Sequence, residues 1–386
     1  MEKQLQSTIS DGDHLSVVFD ESTVDLAYAS ENNWIYLICT DTVSRWPSRL
    51  LRTGHALLRI SSKECNGYAS LVTTDQEKIK IENLFRLKYG DTYFTRYFSH
   101  PGRYIRVDIS EGRVSWDKDY YEWLAEEFDS ESGIYDDHIF GNSINRLLRD
   151  RSMEIIYRYL KPSSMVLDIG CGSGTETMEV LKHGCKVVAI DISGGMLNVV
   201  EQKAKKSGLL ANLSTIRVRA SGVDEVLNRY GSQSFDLIYS TYGALNCDPE
   251  IERIPPVIAE LLRPGGHFIA GVYNKFCLSE FIIQVLFLRF RRIPDRFRNP
   301  ILEGHSRFCI DVYSFSPGEF NSLFRSHMKL VSISGSPVLI PPSNYRRFMD
   351  IAGEGFKKFD RIDRFLSTKW PFSLLGDHFI SVFQKK

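Results

Sequence analysis

The chain has 386 residues, more than one ordinary core accommodates, so two domains are the default. Lysine plus arginine equals aspartate plus glutamate at 48 each, and the zero formal charge excludes the basic excess that marks most nucleic-acid binders. Hydrophobic residues make up 43% and charged residues 25%, which describes a soluble globular protein. The seven cysteines stand singly with no Cys-Xaa-Xaa-Cys pair, as expected of reduced thiols in a cytoplasmic protein with neither a metal site nor a disulfide framework.

Met1 to Gln6 carries no apolar signal region. In residues 1–115 the segments Trp34–Thr40, His55–Ile60, Tyr68–Thr73 and Arg103–Ile109 are short, aromatic and β-rich, with turn residues such as Asn32-Asn33 and Asn66-Gly67 between them. Asp75–Tyr89 has helical spacing, with Ile79, Ile81, Leu84, Phe85 and Tyr89 on one face and Gly90 as its stop. Strands, a helix and a closing strand predict a small barrel. Arg45, Arg49 and Arg52 cluster near a strand end, where a solvated basic face is the default.

Residues 116–160 change to helix, as a lid or linker. Tyr120, Tyr121, Trp123, Leu124 and Phe128 crowd one segment, and Ile144, Leu147, Leu148, Ile155 and Ile156 form a second stripe. The polar link Asp129–His138 between them is expected to be mobile.

Residues 161–386 open on Met165-Val-Leu-Asp-Ile-Gly-Cys-Gly-Ser-Gly-Thr-Glu176: a short buried strand, three alternate glycines, then a helix start. Such a turn lets a ligand approach the backbone closely, with free helix N–H groups aimed at it. Lys186–Asp191 is a second strand ending in an acid, about twenty residues beyond Gly170, where an acid reaches ribose hydroxyls. These features fit either a nicotinamide dinucleotide or an S-adenosylmethionine site. Gly194–Lys206 follows as a helix, Leu213–Ser221 as a third strand and Phe235 onward as a fourth. The next helix is expected to end in a sharp turn at Arg263–Gly266, with strand five over His267–Asn274. Phe276–Leu288 is an apolar helix broken by Ser279, Glu280 and Gln284, too short to span a bilayer, so no stable membrane insertion is expected. It begins an insertion, about 276–305, that roofs a substrate pocket. Ser306–Ser314 reads as a strand, Phe315–His327 as a helix and Leu330–Leu339 as strand six. Asn344–Leu366 reads as a helix with Phe348, Ile351, Phe359 and Ile362 inward, and His378–Phe383 as a closing antiparallel strand.

Asp168 before the glycines, the Gly-Xaa-Gly-Xaa-Gly spacing, Asp191, Ser234–Tyr239 and Leu261–Phe268 recur in an order that resembles the class I S-adenosylmethionine-dependent methyltransferases. The resemblance covers about the last two thirds of the chain. It implies a Rossmann-like, seven-stranded α/β sheet behind the N-terminal β-rich domain, with S-adenosylmethionine as cofactor. The implied cofactor residues are Asp168, Gly170, Cys171, Gly172, Gly174, Asp191, Ile192, Met196, Ala220, Ser221, Ser240 and Thr241. The family's acid near the end of strand three is missing here, where the chain reads Arg219-Ala220-Ser221. Residues 1–115 more loosely resemble the split-barrel domains that bind flavin or deazaflavin. A barrel kept for substrate binding or dimerisation is the preferred reading, and a working flavin site the alternative.

Loops beyond the carboxyl ends of strands hold the ligands of such sheets. Tyr242, Asn246 and Tyr273 are therefore candidate substrate contacts, and the resemblance, in which helices before the glycine loop close over cofactor and substrate, adds Tyr121, Phe128 and Tyr135 as lid candidates. His305, between the roofing segment and a strand, is the candidate general base, with Tyr242 a weaker one. No His-Xaa-Xaa-His or paired-acid spacing suggests a metal. The expected protein is a cytoplasmic methyltransferase acting on a small molecule at O, N or C, in specialised-metabolite tailoring. Its expected partners are a small-molecule substrate and a second copy through the N-terminal domain, with no nucleic acid. A bifunctional flavin reductase–methyltransferase and a non-methylating S-adenosylmethionine binder are the alternatives.

Overall fold

The computed structural model describes residues 14–19, 22–40, 44–60, 63–98, 101–109, 120–297, 300–305, 308–345 and 355–386. The chain divides into two compact units, Met1–Glu127 with Glu303–Ile310, and Phe128–Leu302 with Asp311–Lys386.

The first unit is a closed barrel of six antiparallel strands: β1 (His14–Phe19), β2 (Ser22–Glu31), β3 (Trp34–Cys39), β4 (His55–Ile60), β5 (Lys63–Leu71) and β6 (Arg103–Asp108). Their order around the barrel is β1-β2-β3-β6-β5-β4, and β1 pairs β4 to close it, which leaves no unpaired edge. Alternation along β3 explains why it is buried throughout. Ile35, Leu37 and Cys39 fill the barrel with Leu15, Val17, Leu58, Ile105 and Val107. Tyr36 and Ile38 face outward against Ile81 and Phe85 of α2 (Asp75–Tyr89) and Phe94 and Phe98 of α3 (Asp91–Phe98). The expected α2 is present, but its Ile79 is 60% exposed, so the inward stripe is narrower than its apolar content suggests. Sequence reading missed β1, β2, α3 and the short α1 (Trp46–Thr53). Tyr89 ties α2 to β2, its hydroxyl donating to Tyr28 O (2.8 Å) and accepting from Tyr28 N (3.0 Å). A helix α4 (Tyr120–Glu131) follows.

The second unit is a seven-stranded sheet in the order β14-β15-β11-β10-β7-β8-β9. Its strands are β7 (Met165–Ile169), β8 (Lys186–Asp191), β9 (Leu213–Arg217), β10 (Phe235–Ser240), β11 (Leu262–Tyr273), β14 (Met328–Ser336) and β15 (His378–Lys385). Strands β7 to β11 are parallel where they pair, and β15 runs antiparallel to both β11 and β14. The chain moves outward from β7 through β8 to β9, then crosses back to β10, so the strand order reverses between β7 and β10. A crevice opens at such a switch point, beyond the carboxyl ends of the strands. Nearly continuous burial along β7, β8, β10 and β15, with apolar clusters on both faces, reflects helix cover on either side, while the edge strands β9 and β14 are more open.

Several expectations need correction. The third strand stops at Arg217, and Ala220–Gly222 is a single 3-10 turn. The stretch Arg263–Gly266 lies inside the long β11, and the preceding helix α10 (Ile254–Leu261) ends at Leu261. The supposedly mobile link is instead helical at both ends, completing α4 and forming α5 (Tyr135–Phe140) before α6 (Ser143–Tyr159). Near the C-terminus, the described helix is α13 (Gly355–Ser367). Its Phe359 and Ile362 are 40% and 53% exposed, while Asp363 is fully buried. Asp363 accepts from the amides of Val338, Leu339 and Ile340 and pairs with Arg151, so polar satisfaction set that helix's inner face. Phe348 and Ile351 lie outside the described residues. Between them and β11 come α11 (Leu278–Leu286), a 3-10 stretch Phe290–Phe297, and a two-stranded ladder of β12 (Ile301–His305) with β13 (Phe308–Val312). Among the described residues no helix is long and apolar enough to cross a membrane.

Candidate functional site

At the switch point the backbone turns through three glycines, all in the left-handed region: Gly170 (φ 70°), Gly172 (φ 53°) and Gly174 (φ 76°). Two of them have no room for a side chain. A Cβ on Gly170 would fall 2.4 Å from the Ala244 Cβ, and one on Gly174 would fall 2.6 Å from a Val200 methyl. The turn is pinned from below, since the amides of Gly170 and Cys171 both donate to Ile190 O (2.8 and 3.0 Å). The helix α7 (Thr175–Lys182) starts directly after, so unpaired N–H groups crowd the crevice.

Two acids frame the loop. Asp191, 8% exposed, accepts from Gly172 N (2.8 Å) on one oxygen and Ser193 N (2.9 Å) on the other. Burial pushes its carboxyl up to about 6, the amide bonds pull it back in part, and the charge of Asp129 adds to the rise. Asp168 is buried behind the loop, where one oxygen takes the hydroxyls of Thr177 and Tyr239 (the latter at 2.8 Å). Burial lifts it to about 7 against those hydrogen bonds. Its role is thus at least partly to lock β7 to β10 and α7. Cys171 is buried, and burial raises its thiol well above the ordinary range, so it is held neutral.

The loop is also clamped from the segment before the sheet. Asp129 Oδ1 accepts from Gly195 N (2.8 Å) and from the Ser193 hydroxyl, which itself caps α8 (Gly194–Lys206) by accepting from Met196 N (3.0 Å). Asp136 pairs with Lys203 and takes the Ser173 hydroxyl, and Lys203 Nζ donates to Ser173 O (2.7 Å). A Cβ on Gly172 would lie 3.5 Å from the Tyr135 ring, which places that tyrosine over the glycine turn. Burial raises the Tyr135 phenol to about 12. Met196 is fully buried in α8, and Ile192 receives the Arg217 guanidinium on its carbonyl (3.1 Å).

At the end of the third strand a buried acid arrives from another element. Ser221 N donates to Asp248 Oδ2 (2.7 Å), a buried carboxylate from the loop beyond β10. Ala220 and Ser221 sit on that 3-10 turn, and Arg219 pairs with Glu250 (3.0 Å).

Beyond β10, Ser240 is buried and donates to Ile169 O (2.8 Å), and Thr241 is 7% exposed. Tyr242 adopts φ 57°, a conformation a bulky residue holds only under constraint. Its ring lies 4.6 Å from the Arg149 guanidinium and stacks on His378 at 6.1 Å and 14°. Arg149 of α6 forms a buried ion pair with Glu176 of α7. Tyr273 meets His378 edge-on at 5.3 Å, and the Arg296 guanidinium lies 4.2 Å from the Tyr273 ring. His378 Nδ1 is 3.1 Å from Asp377 Oδ2, and Arg296 holds the other carboxylate oxygen at 2.8 Å. Asn246 is fully buried. Its amide donates to Tyr273 O (3.2 Å) and Tyr313 O (2.7 Å) and accepts from Tyr273 N (2.8 Å), so its polar atoms clamp loop backbone. His305 is on β12, but its side chain lies outside the described residues. Tyr121 is on α4 in the first unit, edge-on to Tyr120 at 5.3 Å.

Sequence reading missed Arg149, Glu176, Asp129, Asp248 and the Asp377–His378 pair. Arg149 and Glu176, Asp129 and Ser193, and Asp248 and Ser221 meet across distant elements, whereas Asp377 and His378 are chain neighbours whose pairing is completed by the distant Arg296. Thr175 Oγ1, Glu176 Oε1 and Ser221 Oγ are buried without a hydrogen-bond partner, and orphaned groups beside a glycine cradle fit a polar ligand.

Fold and cradle together are those of a Rossmann-like α/β domain with a glycine turn at its switch point. Residues 166–266 match the family model described as a methyltransferase domain. The chain is 28% identical over 179 residues to the uncharacterized protein MJ1252 of Methanocaldococcus jannaschii, spanning 46% of this chain and 60% of that protein. It is 31% identical over 129 residues to a ubiquinone biosynthesis O-methyltransferase of Cupriavidus pinatubonensis, spanning 31% of this chain and 49% of that enzyme. In both cases the chain spans less than two thirds of the relative's length. Among solved structures, the 1,6-didemethyltoxoflavin-N1-methyltransferase of Burkholderia thailandensis aligns over 73% of this chain and 95% of its own, at 18% identity and a TM-score of 0.43.

Proposed function

We propose that this protein methylates a small-molecule acceptor at the carboxyl edge of β7, β10 and β11, with His378 as the group that takes the acceptor's proton. The observation that carries the reading is the glycine cradle at the switch point with Asp191 at its rim, matched by the methyltransferase-domain model over residues 166–266. Bound there, S-adenosylmethionine supplies an already activated methyl group.

The chain's own residues then have three tasks. The first is holding: the loop amides, Asp191 and the Ala220–Ser221 turn face the cofactor, with Asp129 and Asp136 keeping the loop and the α8 N-terminus in place. The second is exclusion of water. Tyr135 covers the glycine turn, and Tyr242, fixed by the Arg149 charge and the His378 ring, walls the neighbouring space. The third is proton removal. With Asp377 holding Nδ1–H, the Nε2 lone pair of His378 is available to an acceptor hydroxyl or amine. Alignment of acceptor and methyl supplies much of the remaining barrier reduction.

A small-molecule acceptor is supported by the neutral charge and by the relative named for ubiquinone biosynthesis. A cytoplasmic location and dimerisation through the barrel belong to the same reading. The test is a panel of phenols, quinols and amines incubated with S-adenosylmethionine. Formation of S-adenosylhomocysteine with at least one member, abolished by Asp191→Ala, is expected. Cofactor binding with no turnover across the panel would leave a binding protein.

A further inference from the structure

A half-open cavity of about 200 Å³ lies beneath α11, walled by Phe276, Leu278, Phe281, Ile293, Phe297 and Leu375. This exceeds the ~150 Å³ at which an apolar hole already admits benzene. Phe276 and Phe297 meet edge-on at 5.5 Å at its rim. Along with Phe281 they remain 43%, 49% and 53% exposed, an aromatic collar left facing water.

Four polar side chains of the lining, Lys275, Glu280, Gln284 and Arg296, define what the cavity accepts. Gln284 is 3% exposed, and its Nε2 donates to the Tyr345 hydroxyl at 2.9 Å. Its Oε1 is buried with no partner, and turning the amide over merely moves the deficit to the nitrogen. Arg296 spends four of its five N–H donors here: Nε donates to Asn274 O, and the other nitrogens go to Glu280 and to the carbonyl and carboxylate of Asp377. Lys275 is bound to both oxygens of Glu319 (2.8 and 2.9 Å). Both cations of the wall are paired with carboxylates, and the acceptors it offers a neutral donor are the orphaned Gln284 Oε1 and the Glu280 carboxylate. Arg296 is also the shared wall with the catalytic edge, because the same guanidinium faces the Tyr273 ring and Asp377.

We propose that this cavity is a subsite for an uncharged apolar group carrying one O–H or N–H donor, the body of the acceptor whose reacting atom lies past Arg296 at Tyr273 and His378. The cavity as a ligand site stands on its own geometry; its assignment to the acceptor rests on the function proposed above.

N-phenyl-1-naphthylamine, a neutral apolar fluorophore with one N–H, is the probe. Full-length protein is expected to bind it saturably at one equivalent, with enhanced emission. Gln284→Leu should weaken binding about tenfold. Ile293→Trp, which fills the hollow, should abolish it. Titration of both variants with S-adenosylhomocysteine, together with their melting curves, reports whether the fold is intact. Binding that is unsaturable, or unchanged in both variants while they remain folded, overturns the subsite. Saturable binding lost in the variants supports it even if S-adenosylhomocysteine binds none of the proteins, in which case only the methyltransferase reading falls. Any acceptor that turns over should displace the probe; one that turns over at saturation without displacing it overturns the acceptor assignment.

Discussion

Asp377 Oδ2 lies 3.1 Å from His378 Nδ1 while Oδ1 of the same carboxylate holds Arg296 at 2.8 Å. Burial alone would raise this carboxyl, but the Arg296 charge and then His378 outweigh it and hold it down at about 2. An anion fixed there sets His378 as donor at Nδ1, which leaves Nε2 basic beside Tyr242 and Tyr273.

His378→Gln is therefore expected to lower turnover about 10²- to 10⁴-fold for a hydroxyl acceptor while leaving S-adenosylhomocysteine affinity within about twofold. Steady-state rates and calorimetry on the same preparation check both halves. Equal losses in rate and cofactor affinity would make His378 structural.

The ionisation of Asp191 predicts a pH dependence of binding. Its carboxyl sits at about 6 in the folded chain, against an ordinary value near 3.8, chiefly through burial. A folded group that keeps its proton longer than the unfolded one contributes stability that is lost as pH rises, here from about 4 to 6, and Asp168, at about 7, extends that window. Ribose hydroxyls favour the ionised form, so S-adenosylhomocysteine affinity should rise up to about tenfold per unit as pH climbs toward 6 and then level. Asp191→Asn should flatten that slope. Titrations from pH 5 to 8 read it directly.

Arg149 and Glu176 form a buried ion pair, with side chains 9% and 4% exposed. Arg149→Ala leaves a buried carboxylate without its partner and should cost about 3–5 kcal/mol. The double variant Arg149→Met/Glu176→Leu should recover most of that loss. Denaturant titrations of the single and double variants distinguish a paired charge from mere packing.

The cradle was legible in sequence because its chemistry is local: alternate glycines, a strand before them and an acid at the next strand's end lie within about twenty-five residues. The sheet was legible for the same reason, since parallel strands buried on both faces read as apolar runs. The barrel was only half legible. The strand Ser22–Glu31 carries Ser22, Asp25, Ser30 and Glu31 among its apolar residues, which break its alternation although Asn32-Asn33 mark its end. Around Tyr242 and Tyr273, which the sequence does name, the charged partners were not legible. Arg149 meets Glu176 and Tyr242, and Asp248 meets Ser221 from the far side of β10, by tertiary placement alone. His378 opens the last strand, where sequence alone gave it no partner but its neighbour. The polar link was expected to be mobile because its composition is polar; its acids instead satisfy loop and helix N–H groups.

Gly170→Ala tests the cradle's shape. The added methyl meets the Ala244 Cβ at 2.4 Å, and the backbone at φ 70° disfavours any L side chain. We expect a loss of about 1–3 kcal/mol in stability and at least tenfold in cofactor affinity, whereas Gly208→Ala, with open space around it, should cost about 1 kcal/mol and leave affinity unchanged.

Calorimetric titration of the full chain with S-adenosylhomocysteine at pH 7.5 reaches the centre of the account. One equivalent should bind with a micromolar dissociation constant, and Asp191→Ala should weaken it by about thirtyfold or more without unfolding the protein. No heat of binding at millimolar ligand, or an Asp191→Ala variant that binds as tightly as the parent, would contradict it.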